Sequence, residues 1–371
     1  MSDTSTQGPI LLAAGGTGGH LFPAQALATV LRARGHTVHL MTDDRGDRYG
    51  MTFPADEIHL VKADTIRGRN PLALARTFFK LGRGFFQARG VLKRIKPSVV
   101  VGFGGYPTLP PIFAAKFLGI PAILHEQNAV MGRANRLLAP RVKKIATSFP
   151  KVRNLSPEDA EKCVQVGIPV REPVIAARET PYVTPQADGP FELLVFGGSQ
   201  GARILSDVVP GAVARFDAER RARLRVTQQC REEDLDRVRF AYDAVDVKAD
   251  LQPFFPDLPT RMARAHLVIS RSGASTVAEL GVIGRPSVLV PLPHALDNDQ
   301  LMNAAALSSE GGAKMLQQQA MTPHTLADLL AELMDAPNRL TDMAAKARGF
   351  GNPHAADALA DLVETLLPPA A

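Results

Sequence analysis

Gly15, Gly16, Gly18 and Gly19 lead directly into His20 in the run ILLAAGGTGGHLFPAQALA, residues 10–28. An imidazole titrates near neutral pH and suits proton transfer, while glycines let a backbone turn tightly and approach a ligand. Turn amides followed by a helix N-terminus favour an anion. A nucleotide-hydrolase loop would carry Gly-Lys-Ser/Thr here, and G-x-G-x-x-G fits poorly, so a histidine stands where a phosphate loop would place lysine. GFGGYP at 102–107 and GGSQGA at 197–202 share the glycine-rich layout, and HEQN at 125–128, SRSGASTVAE at 270–279 and DNDQLMNA at 297–304 add titratable and amide side chains. Taken singly, each has a bland role: a glycine turn is a tight connection, Ser199 a helix N-cap, Glu279 a solvated helix carboxylate. It is the set, in this order, that points to a site.

The elements that must position these residues are legible as alternating periods. Ile10, Leu11, Leu12 and Ala13 read as a buried strand, and Ala24, Leu27, Ala28 and Leu31 recur at helical spacing. FELLVFGGSQGARILSDVVP, residues 191–210, repeats that strand, glycine turn and helix half a chain later. HTVHLM, PSVVVGFGG, IPAILHEQN and KKIATSF continue the first half, and LRVTQQ, AHLVISRSG and RPSVLVPLP the second. The fold class is therefore α/β, two Rossmann-like domains with parallel sheets facing across a cleft, with ligands at the carboxyl ends of the strands. The run VGIPVREPV serves as linker. We expect an N-terminal domain over 1–170, a C-terminal domain over 171–348, and a final helix within 349–371 packing back on the N-terminal domain.

With 371 residues, 45% hydrophobic and 22% charged, the chain has the composition of a globular protein with full cores. Cys163 and Cys230 are too few for a disulfide framework and lack metal-ligand spacing. The polar start MSDTSTQGP and the lack of a membrane-spanning run read as cytoplasmic. The net charge of +6 is unevenly spread, for no acidic residue lies between Asp64 and Glu126 while Arg67, Arg69, Arg76, Lys80, Arg83, Arg89, Lys93, Arg94, Lys96 and Lys116 do. A one-sign segment of that length points to an anionic partner, nucleic acid or a membrane surface.

Segment by segment, these motifs resemble the MurG family, peripheral membrane glycosyltransferases that add N-acetylglucosamine to undecaprenyl-diphospho-N-acetylmuramoyl-pentapeptide. The resemblance implies a GT-B fold, UDP-N-acetylglucosamine as donor, the lipid-linked muramoyl peptide as acceptor, and no cofactor or metal. It assigns the donor to Thr17, Gly18, Gly19, Asn128, Arg171, Ser199, Gln200, Phe255, Ser275, Thr276, Glu279 and Gln300. Among these, Glu279 would accept the ribose hydroxyls, the backbone around Phe254 and Phe255 would hold uracil, and Asn128 and Gln300 would contact the transferred sugar. Gly16, Gly104, Gly105, Tyr106, His125 and Asn135 fall to the acceptor. Asp297-Asn298-Asp299 spells an Asp-x-Asp, the metal signature of a different glycosyltransferase architecture, and reads as a decoy. An inverting transfer needs a base for the acceptor 4-hydroxyl; His20 is the candidate, with His125 or Glu126 as alternatives and His20 then only orienting the acceptor.

At 100° per residue, Leu74, Phe78, Leu81, Phe85, Leu92 and Ile95 form one helix stripe with Arg76, Lys80, Arg83 and Arg94 opposite. Leu72, Phe79 and Phe86 lie beside the basic face, as on a surface that meets anionic lipid at the cytoplasmic side of the inner membrane. The bland alternative is an ordinary amphipathic helix, split in two at Gly82 and Gly84. Nucleic acid is disfavoured because recognition-type interleaved aromatics are missing. An NAD(P)-dependent oxidoreductase using Asp43 or Asp44 after the next strand is the main rival; it leaves GGSQGA, Glu279 and Gln300 without work. A non-enzymatic nucleotide-sugar binding protein is a third reading.

Overall fold

The computed structural model describes residues 8–15, 18–43, 53–61, 71–293 and 295–369, except for the side chains of 71–80 and 296. Gly16, Thr17 and Asp44 lie outside the described residues, as do the side chains of Leu72, Arg76, Phe79 and Lys80. The chain divides into two compact units, Met1–Arg171 with Pro353–Ala371, and Glu172–Asn352.

In the first unit a parallel sheet runs β3-β2-β1-β4-β5-β6-β7. Its strands are β1 (Ile10–Ala13), β2 (Val38–Thr42), β3 (Glu57–Leu60), β4 (Val99–Gly102), β5 (Ala122–Glu126), β6 (Lys144–Thr147) and β7 (Cys163–Gln165). Its helices are α1 (Gly18–Ala33), α2 (Pro71–Ile95), α3 (Leu109–Phe117), α4 (Arg133–Leu138) and α5 (Pro157–Ala160). In the second unit the parallel order is β10-β9-β8-β11-β12-β13. The strands are β8 (Phe191–Phe196), β9 (Leu224–Gln229), β10 (Ala249–Gln252), β11 (Leu267–Ser270), β12 (Ser287–Leu289) and β13 (Ala313–Met315). The helices are α6 (Glu172–Arg178), α7 (Arg203–Val213), α8 (Ala218–Arg223), α9 (Leu235–Asp243), α10 (Leu258–Arg264), α11 (Ala274–Ile283), α12 (Asp299–Ser309), α13 (Pro323–Met334) and α14 (Pro337–Phe350). The chain then returns to the first unit with α15 (Ala355–Glu364).

Side-chain alternation explains why the central strands read as unbroken apolar runs. Ile10, Leu12, Val99 and Val101 pack with α1 and α15, whereas Leu11 and Val100 pack with α2, α3 and α4. A sheet covered on both faces needs apolar residues at every position. In the second unit Phe191, Leu193 and Val195 join α7, α9 and α13 in one core, and buried Leu194 and Phe196 point the other way.

Strands β3, β7, β10 and β13 escaped the sequence reading, and all four are sheet edges. An edge strand has one neighbour and is less covered, so EIHL, CVQ, ADLQ and AKM carry polar residues that break the apolar signal.

The unit boundaries differ slightly from the expected ones. Residues 349–352 stay with the second unit because α14 packs on α11, with the Gly281 and Gly351 backbones in direct contact. Helix α15 buries Leu359, Ala360 and Val363 against the first core. Arg34 clamps its outer face, reaching Asp361 at 2.6 Å, Glu364 at 2.9 Å and Asp357 at 3.2 Å. Helix α2 is continuous from Pro71 to Ile95, so Gly82 and Gly84 do not split it.

Candidate functional site

Both sheets reverse direction of strand order beside their first strand, between β1 and β4 and between β8 and β11. At such switch points the loops leaving the carboxyl ends diverge and leave a crevice for ligands. The glycine turns of the sequence lie at these two points.

In the first unit His20 sits in the first turn of α1, half-buried. Its ring borders the turn that leaves β4: a Cβ on Gly105 would stand 3.3 Å from the His20 Cε1, and one on Gly104 3.5 Å from Nε2. Gly104 and Gly105 both take left-handed backbone angles, φ 85° and 74°, which L side chains adopt only under strain. The turn is held from within, Thr108 donating its hydroxyl to the Gly104 carbonyl. Tyr106 opens the short 3-10 turn that follows. The structure thus sets the imidazole at the start of α1 against the GFGGYP turn.

His125 and Glu126, the alternative bases, are placed differently. His125 is fully buried; its Nε2–H donates to the Gly167 carbonyl at 2.9 Å and its Nδ1 accepts from Gln127 at 3.2 Å. Burial pushes this imidazole down to about 4, against the pull of the Gly167 carbonyl and with the help of nearby His20. Both ring nitrogens are thus engaged within the first unit. Glu126 is also buried and accepts from the Gly132 and Asn128 backbone N–H groups at 2.9 Å each and from the side chains of Asn135 at 2.8 Å and Asn128 at 3.3 Å. Burial raises its pKa while those donors pull it down. With its oxygens so occupied it ties together the loop after β5, Asn128 and Asn135. The Asn135 amide lies 3.3 Å from a Cβ position on Gly104, so it too borders the turn.

Arg171 belongs with the first unit, not the second. Its guanidinium lies 4.0 Å above the Phe22 ring, two residues after His20, a cation–π arrangement that sets the arginine beside the first turns of α1.

In the second unit the GGSQGA turn closes through the Gly201 N–H to the Gly198 carbonyl at 3.0 Å. Gly198 and Gly201 have φ of 85° and 68°. A Cβ on Gly197 would overlap the Ala202 backbone nitrogen. Ser199 and Gln200 are exposed at the tip, ahead of α7. Ser275, Thr276 and Glu279 are half-buried on the first turns of α11, where the spacings i+3 and i+4 place them on one face. Ser272 donates to the Gln300 carbonyl at 2.8 Å, and the Gln300 side-chain oxygen accepts from the Leu292 N–H at 3.0 Å. This brings the start of α12 to the β11 turn. Asp297 and Asn298 both adopt left-handed angles, φ 59° and 57°, and Asp299 accepts from the Gln300 N–H at 2.7 Å. Phe255 is buried under the Arg261 guanidinium at 4.3 Å while Phe254 is exposed.

Some residues on which the geometry depends were missed. Gln229, at the end of β9, accepts from the Gly197 N–H at 2.9 Å and donates to the carbonyls of Gly198 at 3.0 Å and Pro253 at 3.1 Å. One amide thereby ties the glycine turn to the Pro253–Phe255 segment. Gln127 does similar work in the first unit, donating to the Phe103 carbonyl at 2.9 Å as well as to His125. The available signal was an amide at a strand end next to a switch-point strand. Phe117 on α3 is 66% exposed beside Phe86, which is 69% exposed. The Phe85 ring packs edge-on against both, and Arg89 lies 5.2 Å over Phe117.

The sequence matches the glycosyltransferase family 28 N-terminal domain over residues 10–147 and its C-terminal domain over 192–362. A protein of Allorhizobium ampelinum named UDP-N-acetylglucosamine--N-acetylmuramyl-(pentapeptide) pyrophosphoryl-undecaprenol N-acetylglucosamine transferase is 57% identical over 362 residues, 97% of this chain and 96% of its own. The chain belongs to the MurG family. A Brucella abortus protein of the same name is 54% identical over 366 residues, 99% of this chain and 96% of its own. The crystal structure of Acinetobacter baumannii MurG superposes with a TM-score of 0.78 at 32% identity, covering 96% of this chain and 99% of that one. The fold, GT-B, is shared more widely. A Neisseria meningitidis UDP-GlcNAc 2-epimerase bound to UDP-GlcNAc gives a TM-score of 0.67 at 12% identity, covering 96% of this chain and all of its own, 100%. Asp43 does stand at the end of β2 against Gly15, as a dinucleotide-binding reading would want, but membership of this family leaves the oxidoreductase alternative without support.

Proposed function

We propose that this chain transfers N-acetylglucosamine from UDP-N-acetylglucosamine to the 4-hydroxyl of undecaprenyl-diphospho-N-acetylmuramoyl-pentapeptide, with inversion, at the cytoplasmic face of the cell membrane. The observation that carries this reading is the near-complete correspondence with relatives bearing that name, 57% identity across 97% of the chain. It is supported by glycine turns at both switch points. The second unit takes the donor. Backbone N–H groups of GGSQGA and the α7 N-terminus suit a diphosphate, Ser199 adds a hydroxyl donor, and Glu279 suits the ribose hydroxyls. The first unit takes the acceptor, whose diphosphate suits the β1 turn beside Gly104 and Gly105.

His20 removes the proton of the acceptor hydroxyl while its oxygen attacks the anomeric carbon. The bond to the UDP oxygen breaks on the opposite face, its electron pair leaving with UDP. Of the three candidate bases only His20 is partly exposed and next to a turn able to hold substrate. A positioned base contributes ~10²- to 10⁴-fold.

The surface of α2 and α3 serves attachment. Phe86 and Phe117 stand out of the surface beside Arg83, Arg89 and Lys116, and no helix among the described residues is long and apolar enough to cross a membrane. Exposed aromatics amid cations suit anionic lipid, each basic residue contributing about 1 kcal/mol. The test supplies labelled UDP-N-acetylglucosamine and the lipid-linked muramoyl pentapeptide to purified protein. One disaccharide lipid should form per UDP released; UDP-sugar binding without any transfer would leave only a nucleotide-sugar binding protein.

A further inference from the structure

Away from both glycine turns, β2 and β3 bring two histidines and a carboxylate together at the edge of the first sheet. The strands run parallel with His39 opposite Glu57 and Met41 opposite His59. The three side chains gather beneath the C-terminal end of α2, where Arg94 reaches in. His39 Nδ1 lies 3.1 Å from His59 Nε2 and 3.8 Å from Glu57 Oε2. Four ligands at 2.0–2.1 Å around a tetrahedral zinc-type ion stand about 3.3 Å apart, so these separations bracket what a shared ion requires. We propose that His39, His59 and Glu57 form a binding site for a divalent ion of the zinc class, pinning edge strand β3 to β2.

The surroundings fit this chemistry. Two imidazoles and one carboxylate are ligands of zinc-type preference, and three protein ligands leave a position for water. The other carboxylate oxygen, Glu57 Oε1, lies 3.4 Å from His59 Nδ1. With Nδ1 protonated and turned to that oxygen, the Nε2 lone pair faces His39, the carboxylate-to-histidine support common behind metal ligands. Arg94 works against it. Its guanidinium is 3.1 Å from Glu57 Oε1 and 3.4 Å from His59 Nδ1, and donation to Nδ1 favours the opposite tautomer, with Nε2–H facing His39. Metal binding therefore displaces Arg94 from His59, which its 64% exposure permits. The site would hold the strand that leads toward α2 without touching the groups assigned to donor or acceptor.

The test titrates chelator-treated full-length protein with Zn²⁺ in competition with a chromophoric chelator, and repeats it with Co²⁺ to read the visible absorption of a tetrahedral centre. One ion should bind per chain with a tetrahedral Co²⁺ spectrum and a raised Tm. His39→Gln should weaken Zn²⁺ binding roughly 10-fold or more, at least the effect of losing a supporting contact. Glu57→Gln, a change at a half-exposed carboxylate that should not disturb folding, should weaken it likewise, and Arg94→Ala should tighten it. Wild type that binds no ion, or equal affinity in wild type, His39→Gln and Glu57→Gln, would overturn the site. Weaker binding by Arg94→Ala would overturn the assigned competition.

Discussion

Lowering the pH should destabilise the first unit in part through His125. His125 is fully buried with its Nε2–H on the Gly167 carbonyl and a donor from Gln127 facing Nδ1, so a second proton has no acceptor there. Its pKa falls from 6.5 to about 4, chiefly through burial. The unfolded chain thus binds a proton near pH 6.5 that the folded chain refuses until about pH 4. The stability is fully present above 6.5, is lost progressively as pH falls from 6.5 to about 4, and levels off below that. At about 1.4 kcal/mol per unit, the loss reaches about 2 kcal/mol by pH 5 and about 3 kcal/mol by pH 4. Neighbouring Glu126 shifts upward and acts with the opposite sign, so the total profile alone is ambiguous. His125→Gln can still donate to Gly167 but does not titrate. Urea unfolding followed by far-UV circular dichroism, from pH 7.5 to pH 4, should show the wild type losing about 2–3 kcal/mol more than the variant. Parallel profiles would refute the buried neutral histidine.

Gln229→Ala removes one amide that serves three backbone groups of two loops, and at about 1 kcal/mol per hydrogen bond it should weaken UDP binding roughly 10-fold in calorimetry; unchanged affinity would separate the clamp from the donor site. Glu279→Ala should raise the donor KM by about 10- to 100-fold, the loss of a charge-assisted contact of ~1.5–3 kcal/mol, and an unchanged KM would remove Glu279 from the site. Phe86→Ser with Phe117→Ser should release the protein from anionic vesicles in a flotation assay with little change in Tm, since both rings are mostly exposed; equal vesicle binding would locate attachment elsewhere.

The sequence carried the middle of each sheet more clearly than its margins. β1, β4, β8 and β11 are central and so are dominated by buried apolar residues, whereas β3 and β10 at the edges need no such run. Glycine turns were readable because a left-handed angle at Gly104 or Gly198 constrains residue type locally. The clamps at Gln127 and Gln229 were harder to read, because an amide at a strand end does not by itself reveal which loops it bridges. The same holds for Arg171, whose stacking on Phe22 joins residues far apart in the chain. His125 and Glu126 stand out in HEQN by type, whereas their complete burial is set by the surrounding fold, which type and spacing do not encode.

The most direct test of the division of labour between the two units is the pH profile of kcat/KM for His20→Ala, with UDP affinity measured alongside. The mutant should keep near wild-type UDP binding, lose about 10²- to 10⁴-fold in kcat, and lose the acidic limb of the profile, because a base acts only when unprotonated. Turnover close to wild type with the acidic limb intact would contradict His20 as the base.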